Sequence, residues 1–227
     1  MIAFGASDMT KAYVGSTEVS KAYLGDELVW GGSSPVLPYD AEIEYLASTG
    51  TQWIDTGYVP NGTDIVIKGK FYLSNYSANY GRWFASYTDE NSNAYRIIRN
   101  NNKNNSIFWT CGVKAGYSPN ITIAGLNNLY TFEMSYGKLI LNGTTYTTTL
   151  KQQGNNNVST MRLFAPGSSG TTTSGRFYFF ELLKNGVKIL DLIPVRKDGI
   201  GYMYDKVSGQ LLGNAGTGSF TIGPDVS

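Results

Sequence analysis

Histidine is absent from the 227 residues, and cysteine occurs once, as Cys111. The lack of histidine excludes Ser-His-Asp and Cys-His nucleophilic catalysis, histidine metal sites and the most frequent general base. A single cysteine excludes an intrachain disulfide and a cysteine-based zinc cluster, so we expect Cys111 to be a small apolar core residue. Glycoside hydrolysis by two carboxylates remains possible in principle. We predict that the protein is not an enzyme and that it uses no cofactor.

Charge and long apolar runs are also scarce. Charged residues make up 15% of the chain and the formal net charge is +1. Without a basic run the sequence lacks the electrostatic footprint of a nucleic-acid-binding protein, and neutrality disfavours adhesion to anionic lipid. No run reaches the length of a membrane span, and the first residues do not resemble a signal peptide. We therefore expect a soluble, unexported protein with no membrane insertion.

Aromatic residues, glycine and turn pairs are abundant. Aromatics make up 14% of the chain, with 17 Tyr and 27 Gly, a composition typical of many strands joined by turns. Asn185-Gly186 separates two β-rich runs and predicts a hairpin, because a tight hairpin turn needs positive φ at its central residues. Pro194 predicts a strand end. Strands are predicted at 42–47, 52–56, 64–73, 82–87, 94–98, 107–111, 129–136, 138–141, 144–150, 161–165, 176–183, 191–195, 200–205, 210–212 and 214–225.

Both ends of this β-rich body carry recognisable motifs. They are IEYLASTGTQWIDTGY at 43–58, RFYFFELL at 176–183, DLIPV at 191–195 and NAGTGSFTIGPD at 214–225. Their order resembles concanavalin A-like, laminin-G-like domains in structural proteins of gut bacteriophages and in surface proteins of their hosts. The resemblance implies an all-β fold, an antiparallel β-sandwich of the jelly-roll type.

The first thirty residues contain a repeat with a period of ten. IAFG at 2–5, AYVG at 12–15 and AYLG at 22–25 recur at this spacing, as do Met9, Val19 and Val29. Ten residues suit one strand plus one tight turn. Residues 18–24 alternate as one strand, with Val19 and Tyr23 on the same face. A meander this small needs a partner surface, which is its own sandwich, a sister chain or a larger assembly.

This repeat is similar to the short repeats that begin many phage tail, fibre and head-fibre proteins. We predict a β-repeat attachment module at 1–31, a linker rich in Gly, Ser and Pro at 32–39, and the sandwich at 40–227. The residues predicted to form the attachment or oligomer interface are Phe4, Tyr13, Val19, Tyr23, Leu24, Val29 and Trp30.

Two amide-rich segments, 100–106 and 152–157, are predicted to be exposed loops that do not contribute to the core. Amides match sugar hydroxyls in hydrogen bonding while aromatic rings cover the apolar faces of a sugar. The predicted glycan-binding residues are Tyr80, Trp83, Tyr87, Tyr95, Asn101, Asn104 and Trp109. The alternative is that the tryptophans, Trp53 included, fill the core, as aromatics on strands usually do.

Carboxylates give no specific signal. Concanavalin A-like glucanases carry Glu-x-Asp-x-x-Glu on one strand, and no such arrangement occurs here. We assign no catalytic residue. Related sandwiches often bind calcium, but the spacing of the aspartates fits no calcium loop, so no metal is assigned. The aspartates available are Asp40, Asp55, Asp191, Asp198 and Asp205.

Together these features predict a non-enzymatic virion protein of a bacteriophage, a head or tail fibre or a capsid decoration protein. It would assemble in the host bacterial cytoplasm and contact other virion proteins through its first residues. The fibre resemblance favours a homotrimer, and the sandwich would contact host glycans. The alternative is a carbohydrate-binding module or a glycosidase-associated surface protein of a gut bacterium.

Overall fold

The structure is a computed structural model. It describes residues 37–75, 81–99, 105–115, 119–149, 152–165 and 173–226, together with the strand backbones at 12–14, 17–19, 21–24 and 27–31. Contacts between Cα atoms divide the chain into two compact units, Met1–Pro38 and Tyr39–Ser227. Tyr39, which the sequence places in the linker, belongs to the second unit, where its ring packs against Tyr204 at 5.0 Å between centroids.

In the first unit the described strands form two separate antiparallel hairpins. Strands β1 (Ala12–Val14) and β2 (Thr17–Val19) form one hairpin, and β3 (Lys21–Leu24) and β4 (Glu27–Gly31) form the other. The second and third repeats thus each correspond to a whole hairpin, where we had predicted one strand and a turn. The first repeat lies outside the described residues. The predicted strand across 18–24 is wrong, because β2 and β3 belong to different sheets.

The second unit is built from strands, with no α-helix among its described residues. In chain order the strands are β5 (Ala41–Glu42), β6 (Leu46–Ser48), β7 (Ile54–Asp55), β8 (Ile65–Asn75), β9 (Arg82–Ser86), β10 (Asn93–Arg99), β11 (Ser106–Lys114), β12 (Asn120–Thr122), β13 (Asn128–Ser135), β14 (Lys138–Leu141), β15 (Thr144–Thr147), β16 (Arg162–Leu163), β17 (Ser174–Lys184), β18 (Val187–Lys197), β19 (Ile200–Asp205), β20 (Gln210–Leu212) and β21 (Thr221–Ile222).

These strands form two antiparallel sheets. The large sheet has the order β15-β14-β13-β8-β17-β18-β19-β20, with β5 paired to β18, and β6 paired to both β17 and β21. The small sheet has the order β12-β11-β10-β9-β16-β7. The chain passes repeatedly from one sheet to the other, which places strands distant in sequence side by side. The all-β prediction is confirmed. The predicted strand at 214–225 is wrong over most of its length, because only β21 lies within it.

Aromatic rings from the two sheets pack against one another. Trp83 of the small sheet stacks on Phe71 of the large sheet with centroids 5.1 Å apart. Its neighbour Phe84 lies 5.3 Å from Phe132 and 5.4 Å from Phe180, both in the large sheet. The sheets therefore face each other across a shared aromatic core, which is the arrangement of a β-sandwich.

The predicted hairpin turn at Asn185-Gly186 is confirmed. Asn185 and Gly186 both have positive φ, at 51° and 78°, which is the backbone of a type I′ turn and matches the twist of the paired strands. Asn142-Gly143 and Asp198-Gly199 have the same pair of positive φ values and also join neighbouring strands.

The prediction that Pro194 ends a strand is wrong, because β18 continues to Lys197. Pro194 lies where the neighbour of β18 changes from β17 to β5, after the Phe180–Leu192 pair and before the Glu42–Val195 pair. Its carbonyl accepts a hydrogen bond from the Ile43 amide at 3.0 Å. A proline fits there because the missing N–H lies at the junction between two partner strands.

A glycine in the central strand gives a test of this packing. Gly69 lies opposite Phe132 on one side and Phe180 on the other, and a Cβ atom there would clash with the Phe132 ring. We expect Gly69→Ala to lower the free energy of unfolding by about 1–3 kcal/mol, measured by denaturant titration.

The matched control is Phe132→Leu, alone and combined with Gly69→Ala. Because the smaller side chain leaves room for the methyl group, the double variant should lose less stability than the two single variants added together. Strict additivity would show that Gly69 does not pack under Phe132.

Candidate functional site

The structure separates the predicted aromatic patch into core and surface. Trp83 and Tyr95 are 0% exposed and Trp109 is 1% exposed, so the prediction that they contact a glycan is corrected. Their rings lie between the sheets because they project from the inner face. Tyr87 is half-buried at the surface, while Tyr80, Asn101 and Asn104 lie outside the described residues. Phe4 and the side chains of the other interface residues also lie outside the description.

Arginine side chains gather around Tyr87 on the outer face of the small sheet. The Arg82 guanidinium lies 5.1 Å from the centre of the Tyr87 ring, and the Arg96 guanidinium lies 4.5 Å from it. Both distances are within the range of cation–π attraction. Arg96 is 5% exposed, and its Nη2 donates a hydrogen bond to the Ala115 carbonyl at 3.1 Å.

A β-bulge explains why Arg82 faces outward. Ile97 pairs with Phe84 but Ile98 pairs with Arg82, so the register shifts by one residue at Trp83. The extra residue lets Trp83 and Phe84, although consecutive, both project into the core. Their neighbours Arg82 and Ala85 consequently both lie on the outer face.

Strand pairing places a third arginine, Arg162, in one row with Arg96. Ala85 of β9 lies between Arg162 of β16 and Arg96 of β10, and the row continues to Asp55 of β7 and Thr110 of β11. Residues directly opposite each other on adjacent strands project from the same face of a sheet. The methyl group of Ala85 fills little of the space between the two longer side chains, so a cleft forms there.

This arginine cleft is small. Its lining residues are Arg82, Ala85, Tyr87, Ser159, Thr160, Arg162 and Ala165. Its cavity volume is about 40 Å³, which is room for a few waters or one compact polar group.

The cleft is electrostatically positive. Burial lowers the pKa of the Arg82 and Arg96 guanidiniums from their ordinary values, since both charges are partly removed from water. The positive charge of Arg162 acts on Arg82 in the same direction, and Glu90 opposes the shift from an exposed position. Arg162 Nε lies 3.4 Å from Asp55 Oδ2.

Ser159 is held in the wall of the cleft by Asn157. Asn157 is 1% exposed, so the prediction that all of 152–157 is an exposed loop is wrong at this residue. Its Nδ2 donates to Ser86 Oγ at 2.6 Å and to the Ser159 carbonyl at 3.0 Å, and its Oδ1 accepts from the Ser159 amide at 3.1 Å. Buried amides are retained where every polar atom has a partner, as here.

A second group of aromatic side chains lies on the outer face of the large sheet. The Arg176 guanidinium lies 4.4 Å from the centre of the Tyr45 ring and 4.9 Å from that of Tyr72. Lys70 Nζ lies 4.7 Å from the centre of the Tyr178 ring. These cations cover the rings with which they interact.

The available aspartates serve local structure. Asp40 and Asp225 pair with Arg196, Asp191 pairs with Lys188, and Asp205 accepts from the amides that follow it. In the part of the chain that the structure describes, no three Asp, Glu, His or Cys side chains are grouped so that they would hold a metal ion. No helix among the described residues is long and apolar enough to span a membrane.

No protein-family model matches this chain, and no curated protein matches it in sequence. The candidate site therefore rests on its geometry.

Asn157 and its neighbour Asn156 test how the cleft wall is held. We expect Asn157→Ala to lower the free energy of unfolding by about 2–3 kcal/mol, because the Pro60 carbonyl and the Ser159 amide lose their hydrogen bonds to its side chain. Asn156→Ala removes the same amide from an exposed position and should change stability by less than about 0.5 kcal/mol. Equal losses in thermal or denaturant unfolding would contradict the anchoring role of Asn157.

Proposed function

We propose that the chain is a non-enzymatic structural protein of a bacteriophage particle, a head or tail fibre or a decoration protein. Its N-terminal hairpin unit attaches it to other virion proteins, and its jelly-roll sandwich is displayed for contact with glycans of the host surface. The phage setting comes from the resemblance of the terminal motifs and of the repeat.

The observation that carries the attachment role is the division of the first unit into two short hairpins. Their strands are three to five residues long, and they belong to separate two-stranded sheets. An isolated two-stranded hairpin is at best marginally stable in water. Hairpins of this size gain stability by docking on another surface, which supports a module whose purpose is assembly.

The jelly-roll assignment is supported by how the two recognisable ends meet. Strand β6, from the opening motif, pairs with β17 and β21, which belong to the closing motifs. Strand β5 pairs with β18 in the same sheet. The two ends of the body thus lie side by side in the large sheet, as in a closed sandwich of this type.

Display of a binding surface is supported by the arginine cleft. It joins a half-buried tyrosine, the guanidiniums of Arg82 and Arg162, and two hydroxyl side chains on one outer face. A few converging polar groups beside an aromatic ring are typical of a ligand site. Non-enzymatic binding is consistent with the lack of histidine.

Deletion of residues 1–31 tests attachment. The truncated protein should keep its cooperative unfolding, because the second unit contains its own core, but it should no longer join particles when coexpressed with the other virion proteins. We also expect the full chain to have the mass of a trimer by light scattering, and the truncated chain that of a monomer. Incorporation of the truncated protein into particles would contradict the assignment.

A glycan array combined with a hydrolysis assay separates the virion protein from a glycosidase-associated protein. We expect binding without turnover. Turnover that is lost when a carboxylate such as Asp55 is replaced by Asn would contradict the non-enzymatic assignment.

A further inference from the structure

We propose that the arginine cleft binds the carboxylate of an acidic sugar, such as a uronic acid unit of a bacterial surface polysaccharide. The identity of the ligand as a glycan rests on the proposed function. The preference for an anionic group rests on the cleft itself.

The first argument is the local concentration of positive charge. Arg82 and Arg162 both line the cleft, and the charge of Arg162 helps to lower the pKa of Arg82. Two guanidiniums of like charge therefore lie close together on a partly desolvated face. Clustering like charges and withdrawing them from water disfavours the folded state, and an anion bound between them would offset this penalty.

The second argument is the geometry of Arg162. Its Nε is buried and makes no hydrogen bond with any described residue, although Asp55 Oδ2 lies 3.4 Å away. Its guanidinium stacks on Trp53 at 4.9 Å from the ring centre, which fixes the plane of the fork. A guanidinium held in this way is preorganised to bind a carboxylate through two parallel hydrogen bonds.

The third argument is the size and lining of the cleft. About 40 Å³ accommodates one carboxylate but not a sugar ring. The rest of the sugar would lie outside the cleft, on the protein surface near Tyr87. Ser159 also lines the cleft. Its hydroxyl lies 3.5 Å from Thr88 Oγ1, a long hydrogen bond that a ligand oxygen could replace. Thr160 is engaged, since it donates to Asp55 at 2.9 Å.

Arg162 is the best residue for the test. It lies at the mouth of the cleft with its side chain 40% exposed, whereas Arg96 is buried and bonded to Ala115. We expect Arg162→Gln to fold normally and to weaken binding of glucuronate about tenfold or more, measured by calorimetry or NMR titration of the full chain. Arg162→Lys keeps the positive charge but loses the planar guanidinium. Its affinity for glucuronate should therefore lie between those of the unaltered protein and the Arg162→Gln protein.

Arg176→Gln is the matched control, because it removes the same charge from a guanidinium stacked on tyrosines of the other sheet. It should bind glucuronate as the unaltered protein does. Acetate should compete weakly, glucose should not bind, and affinity should fall as salt is raised from 50 to 500 mM because ions screen the attraction. Glucose 6-sulfate is compared in parallel, and equal or tighter binding of this ligand would overturn the preference for a carboxylate.

Failure of this inference is distinguishable from failure of the proposed function. If glucuronate does not bind, or binds equally well to the Arg162→Gln protein, the site is wrong, even where neutral glycans bind and particle attachment still depends on residues 1–31. If glucuronate binds through Arg162 but no glycan on an array is retained, the carboxylate site stands and the glycan-adhesion role fails.

Discussion

Interlocking of aromatic rings between the two sheets is the constraint on which the rest of the sandwich depends. Trp83 and Phe84 are consecutive, yet both reach the large sheet, where they contact Phe71 and Phe132. A regular strand would turn one of them outward. The bulge that allows both to pack inward also places Arg82 and Ala85 on the outer face, so the packing of the core determines the shape of the arginine cleft.

The two units solve the problem of burial differently. The sandwich buries its apolar surface internally, whereas the short hairpins at 12–31 have little area with which to form a core. We therefore propose that the hairpin unit, which needs a partner surface, serves assembly. The sandwich, which has its own core, contacts the ligand. Within the sandwich, the partly desolvated guanidiniums of Arg82 and Arg96 destabilise the folded state, and a bound anion would offset this effect.

Local signals in the sequence predicted most of the fold. Asn185-Gly186 marked a turn correctly because the requirement for positive φ is met by few residue pairs, and apolar runs located most long strands. The site was predictable only at Tyr87. The arginine row depends on register between Arg162, Ala85 and Arg96, which are far apart in sequence. The bulge at Trp83 leaves no local signal, and Pro194 is tolerated inside β18 only because its partner strand changes there.

The most direct measurement is a crystal structure of the protein grown or soaked with glucuronate. The account predicts a carboxylate bound between the guanidiniums of Arg82 and Arg162, next to Tyr87, with Trp83 and Phe84 both inside the sandwich. An empty cleft with the sugar bound elsewhere, or a strand at 82–86 without the bulge, would contradict it.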